Sequence, residues 1–104
     1  MIRAQHIHFT DKRGNLILEY KPESAGDGTI AFVGSHLDVV PADPETWDMN
    51  PFELSQDGDK LFGRGTTDCL GHVALVTEMM IQLAINKPQL KNSIFVCFIA
   101  SEYV

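Results

Sequence analysis

Two short apolar runs, TIAFVG at residues 29–34 and SIFVCFIA at residues 93–100, do most to limit what this chain can fold into. Both read as strands inside a sheet, and TIAFVG, being continuously apolar, is expected to be covered on both faces. Between them, residues 71–86 place Val73, Val76, Met80 and Leu83 three and four apart, with Leu75 and Met79 widening the stripe. That spacing predicts a helix stopped by Pro88 and apolar enough to be mostly buried. Strand, helix, strand is the order of a βαβ unit with parallel strands in one sheet. In such sheets reactive groups gather at the carboxyl ends of the strands. That rule directs attention to His36, Asp38 and Glu102.

The segment HIHFTDKRGNLILEYK, residues 6–21, alternates from His6 to Phe9, turns within residues 11–14, and alternates again through Leu16, Leu18 and Tyr20. This predicts a β-hairpin, with His6 and His8 on its wet side. PESAGDG, residues 22–28, reads as a loop. Residues 40–60 contain Pro41, Pro44 and Pro51 and form a long connection with one small hairpin around Asp57 and Gly58. Trp47 and Phe52 are expected to anchor that connection by packing, and Arg64, held between glycines, to make a local ion pair.

With 8 Lys and Arg against 14 Asp and Glu the formal charge is −6, and the basic residues form no block. Phosphate-backbone and anionic-membrane partners are therefore disfavoured, which sets nucleic acid and membrane aside. Cys69 and Cys97 match no metal-binding or disulfide spacing and are expected as free thiols in a reducing compartment. MIRAQHIHFTDKRG lacks the apolar stretch of a signal peptide, so the expected location is cytoplasmic.

Three places could carry chemistry. His36 and Asp38 are two apart after TIAFVG, so in extended backbone they point to one side. Such a histidine can bind a metal through one ring nitrogen while the carboxylate accepts the other N–H; equally, the pair can satisfy loop amides at a strand end. Asp68 follows a glycine-rich turn, Gly63-Arg64-Gly65-Thr66-Thr67, and leads into the helix. The turn approaches a dinucleotide fingerprint, but an aspartate at its sixth position would repel a pyrophosphate. Asp68 is then either a helix N-cap or a metal-ligating carboxylate able to bridge two ions. Glu102 ends the last apolar run: near a metal-bound water it could serve as a general base, and otherwise it is a solvated glutamate. His72 is expected to be structural, and Cys69 is not expected to act as a nucleophile.

Taken together, GSHLDVVPADPETWDMNPFELSQDGDKLFGRGTTDCLGHVALVTEMM and the later FIASE closely resemble the dinuclear zinc aminoacylase and exopeptidase family, over residues 34–102. The resemblance implies part of a three-layer α/β zinc-exopeptidase-like catalytic domain with a mixed or parallel sheet, residues 1–104 being one partial domain. The rest of that domain and a smaller dimerisation domain would lie outside it, full-length relatives being homodimers. It further implies His36 as a metal ligand, Asp38 as the residue orienting it, Asp68 as the carboxylate bridging two Zn2+ or Co2+ ions, and Glu102 as the general base. A cis peptide is implied between Asp68 and Cys69. Tyr103 stands where the family places a second, metal-ligating glutamate, and a phenol is a poor substitute for a carboxylate on zinc. The implied activity is hydrolysis of an N-acyl amino acid, with this chain alone inactive. The alternative is a non-catalytic binding module that pairs through exposed strand edges.

Overall fold

The computed structural model describes residues 2–102. In chain order its elements are β1 (Ile2–Thr10), β2 (Arg13–Tyr20), β3 (Thr29–His36), a short 3-10 helix (Pro44–Thr46), β4 (Ser55–Asp57), β5 (Lys60–Phe62), α1 (Leu70–Asn86) and β6 (Ser93–Ile99). Four strands form one mixed sheet in the order β1-β2-β6-β3, and β4 and β5 form a separate two-stranded hairpin. The βαβ expectation is met: β3 and β6 are parallel neighbours, with α1 between them in sequence. The predicted α/β class with a mixed sheet is what the chain adopts.

The core lies between α1 and one face of the sheet. In β6, Ile94, Val96 and Phe98 are buried and alternate with half-buried Phe95, Cys97 and Ile99, as the period of two requires. Val76 and Met80, four apart on α1, pack onto them together with Tyr20. Burying a side chain such as Phe98 stabilises by about 1.5–3 kcal/mol. Tyr20 is 1% exposed yet not orphaned, because its hydroxyl donates to Pro88 O at 2.7 Å and so ties β2 to the helix exit. The helix ends at Lys87, in the left-handed region at φ 49°, whose N–H returns to Leu83 O; Pro88 then prevents continuation.

Several expectations need correction. The first hairpin turns more tightly than expected, at Asp11 and Lys12 with Lys12 at φ 61°, and Gly14 belongs to β2. Its register pairs His6 with Leu16 and His8 with Gly14, so both histidines share the sheet face of Leu16, Leu18 and Tyr20. They remain exposed because β1 is the outer strand. The helix is not mostly buried: only Val76 and Met80 are, while Leu75 and Ile85 are 71% and 65% exposed. Likewise β3 is an edge strand, with Ile30 and Val33 exposed; α1 is the one α-helix among the described residues. Phe52, expected as a packing anchor, is exposed too.

Gly34 deserves its place in β3. At φ 92° it adopts a conformation that a side chain would resist, and the β3–β6 register shifts between Phe32 and Ser35 around it. After this irregularity Ser35 and His36 rejoin β6 opposite Phe98 and Ile99. His36 thereby becomes the last residue of the strand, which runs two residues beyond the apolar run TIAFVG.

Candidate active site

Three separate chain segments meet at the carboxyl ends of β3 and β6. His36 closes β3 and is 3% exposed. Asp38 follows in the next loop, Asp68 ends the glycine-rich turn before α1, and Glu102 stands three residues after β6. The turn reaches this place because Gly65, at φ 83°, reverses the chain, and Gly71 N–H closes it onto Gly65 O at 2.9 Å. A Cβ at Gly71 would collide with Thr66 O, so the helix start can approach the turn only without a side chain there. Across the turn, the Arg64 guanidinium lies over the Trp47 ring at 5.1 Å and donates to Pro41 O at 3.0 Å. Arg64 thus fastens the long connection to the turn by a cation–π contact rather than the expected ion pair, and Trp47 does serve as an anchor.

The imidazole of His36 organises the cluster. Its Nδ1 lies 3.0 Å from Asp38 O and 3.2 Å from Asp38 Oδ1. Both are acceptors, so Nδ1 carries a proton. Its Nε2 lies 3.0 Å from Asp68 Oδ1 and 3.0 Å from Glu102 Oε2. Two carboxylates around one ring nitrogen are mutually repulsive and face a lone pair unless a proton or a cation lies among them. Burial of the ring works to lower its pKa, but the bond to Asp38 O, the bond to Asp68 and the charges of Glu102 and Asp68 act against it and prevail, so the pKa is raised. Asp68 and Glu102 have side chains 68% and 55% exposed, so both carboxylates beside the buried ring are reachable from solvent.

Asp38 does more than face His36. Its Oδ1 accepts Glu102 N–H at 3.0 Å and its Oδ2 accepts the Ser101 hydroxyl at 3.2 Å. It therefore fixes the segment after β6 as well as the ring, and Ser101 is a contributor that sequence reasoning passed over although it adjoins Glu102. Asp68 is not the helix cap: the N-cap position is Cys69, which makes no side-chain capping bond. The Asp68–Cys69 peptide is cis, as the resemblance implied. Cys69, set aside on spacing, also joins the cluster. Its sulfur, His36 nitrogen and an Asp68 oxygen lie within 4.8 Å of one another, a group of metal-ligand types. Position in the chain could not reveal this, since Cys69 meets His36 across 33 residues. Cys69 and Cys97 are both free. Tyr103 lies outside the described residues. His72 is exposed on the first turn of α1 and takes no part in the cluster. A separate groove lined by Arg3, Glu19, Lys21, Glu23, Lys87 and Gln89 shares no residue with it.

An imidazole nitrogen beside a carboxylate oxygen is a donor pair that suits a divalent ion, and a cation there would relieve the repulsion around Nε2. His36 and Asp68 would hold one, with the Glu102 carboxylate beside them. Among the described residues no helix is long and apolar enough to cross a membrane.

Comparison with known proteins bears on the fold and the family. A crystal structure of human carnosine dipeptidase 1 superposes on 97% of the chain with a TM-score of 0.78, covering 23% of that protein at 24% identity, a likeness of fold. Acetylornithine deacetylase of Dictyostelium discoideum is 66% identical over 94 residues, which is 88% of this chain and 21% of the relative. Acetylornithine deacetylase of Arabidopsis thaliana is 58% identical over 97 residues, 93% of this chain and 22% of the relative. A probable succinyl-diaminopimelate desuccinylase of Staphylococcus epidermidis is 40% identical over 83 residues, 79% of this chain and 20% of the relative. The chain thus spans about a fifth of the length of the curated relatives it matches. Residues 32–103, which carry every member of the cluster, match the model of peptidase family M20/M25/M40, and the chain belongs to that family.

Proposed function

We propose that residues 1–104 form part of the catalytic domain of a metal-dependent amidohydrolase that removes the acyl group from an N-acyl amino acid, with N-acetylornithine as substrate and ornithine and acetate as products. The reaction would belong to arginine biosynthesis in the cytoplasm. The observation that carries the reading is the convergence of Asp68 and Glu102 on His36 Nε2, with Asp38 holding the opposite ring nitrogen. Similarity to two acetylornithine deacetylases supports the choice of substrate.

In this reading His36 and Asp68 would hold Zn2+ or Co2+, Asp68 offering two carboxylate oxygens. When bound, such ions supply Lewis acidity toward an amide carbonyl and toward water. Asp38 keeps the proton on Nδ1, so that Nε2 presents its lone pair outward. Glu102 is the general base: its backbone is tied to Asp38 while its carboxylate stays exposed, free to take a proton from water and deliver it to the leaving amine. The remaining ligands and a dimerisation domain belong to a longer, homodimeric protein, and a catalytic zinc site needs three protein ligands. The 104-residue chain alone is therefore expected to bind metal weakly and to be inactive.

The test is a chimera in which this chain replaces the matching segment of the Dictyostelium enzyme, assayed for release of ornithine from N-acetylornithine. Activity in the chimera, with a loss of at least about a hundredfold on Glu102→Gln, is expected. A folded, metal-loaded chimera that hydrolyses another N-acyl amino acid but not N-acetylornithine would overturn the substrate. Full activity of the Glu102→Gln chimera would overturn the base, and efficient turnover by the isolated chain would overturn the need for further ligands.

A further inference from the structure

The backbone of His36 is held from a side that the sheet does not supply. Leu37 N–H donates to Ile99 O at 3.0 Å, so the adjoining residue, His36, turns its own N–H and C=O away from β6, toward the open edge of β3. A neighbouring strand would normally take those two groups. Cys69 takes them instead: His36 N–H donates to Cys69 Sγ at 3.2 Å, and the thiol donates back to His36 O at 3.3 Å. One side chain thereby reproduces, for a single residue, the paired donor and acceptor of a strand.

Cys69 also follows Asp68 directly, so the residue that grips His36 is bonded to the residue whose carboxylate meets the His36 ring at 3.0 Å. Asp38 orients the ring, but nothing in that contact sets the distance between the strand end and the glycine-rich turn. We propose that Cys69 is a positioning residue that clamps the Asp68 turn to the end of β3 and so sets the separation of the two proposed ligands. A thiol is a weak hydrogen-bonding group, so the contact matters for placement more than for stability. The inference rests on reading His36 and Asp68 as metal ligands, and the clamp itself can be measured without metal.

The experiment compares the 104-residue chain with its Cys69→Ala and Cys69→Ser variants by two readouts. First, amide hydrogen exchange is measured in metal-free protein: the His36 amide should exchange at least about tenfold faster in Cys69→Ala, with Cys69→Ser intermediate and the amides of Val96 and Phe98 unchanged. The unchanged core amides separate loss of the clamp from general loosening. Second, Co2+ is titrated against its visible absorption: Cys69→Ala should bind about tenfold more weakly, with partial rescue by serine. Unchanged His36 exchange overturns the clamp, and unchanged cobalt affinity in a wild-type chain that does bind overturns its positioning role. A sulfur-to-cobalt charge-transfer band in the wild type would also overturn positioning, because Cys69 would then be a ligand itself. If His36→Ala and wild type bind cobalt equally, the metal reading of the site fails and the positioning role falls with it, whereas accelerated exchange would still establish the clamp.

Discussion

At the carboxyl ends of β3 and β6 the polar groups are closely matched: His36, Asp38, Asp68, Ser101 and Glu102 are linked by contacts of 3.0 to 3.2 Å. The outer side of α1 and the free edge of β3 show the opposite, with Leu75, Ile81, Ile85, Ile30 and Val33 all exposed. The difference follows from what each kind of interaction needs. A polar cluster needs a few atoms at the right separation, and three loops at one end of a sheet can bring them. Covering apolar surface needs area, and the fraction of surface a chain can bury grows with its length. A stretch of 104 residues can therefore assemble a well-connected cluster while leaving one side of its helix bare.

Substitutions that break this contrast should rank by how much packing or bonding they remove. Phe98→Ala empties the packed side of the sheet and should cost about 3–5 kcal/mol, read as a lower urea midpoint. Asp38→Ala removes the side-chain acceptors of Ser101 and Glu102 N–H and the longer of the two acceptor contacts at His36 Nδ1, leaving Asp38 O in place, and should cost about 1–3 kcal/mol in the same measurement. Its Co2+ affinity should also fall, by at least about tenfold. On the bare side, Leu75→Lys and Ile85→Lys should each change stability by no more than about 0.5 kcal/mol while raising solubility. A loss comparable to that of Phe98→Ala would mean that this surface is covered in solution.

The finest effect concerns pH. The His36 pKa is raised above its ordinary value of 6.5. In the metal-free chain the proton on Nε2 therefore stabilises the fold fully below about pH 6.5, and that contribution is lost as pH rises through the raised folded value. NMR titration of the His36 ring should show a midpoint above 6.5, and Glu102→Gln should lower it by removing one of the charges that hold the proton. A midpoint at or below 6.5 in the wild type would contradict the crowding of carboxylates around Nε2.

Much of this molecule was legible from residue order. The two apolar runs gave parallel strands, residues 71–86 gave a helix within one residue of its observed start, and Asp57-Gly58 gave the small hairpin. These are local signals, set by side-chain period and turn chemistry. His36, Asp38, Asp68 and Glu102 were legible as candidates because strand ends and glycine-rich turns mark where a sheet presents side chains. Their mutual distances were not, since they depend on how β3 pairs with β6 around Gly34 and on where the turn at Gly65 delivers Asp68.

Burial was the least legible property. Continuous apolarity in TIAFVG and in α1 suggested cover on all sides, yet β3 lies at an edge and α1 buries one stripe. A residue's hydrophobicity records what it would lose in water, whereas its exposure depends on which neighbours the chain supplies. The hairpin histidines make the same point: alternation put them together on one face, but the register with β2 decided which face that was. By itself the sequence determined the elements, their order and the chemical types at the strand ends, because those follow from local period and composition. Only tertiary structure decided that the Cys69 thiol meets the His36 backbone and that Asp38 binds Ser101 and Glu102, because contacts across 33 and more than 60 residues arise from strand pairing and chain reversal.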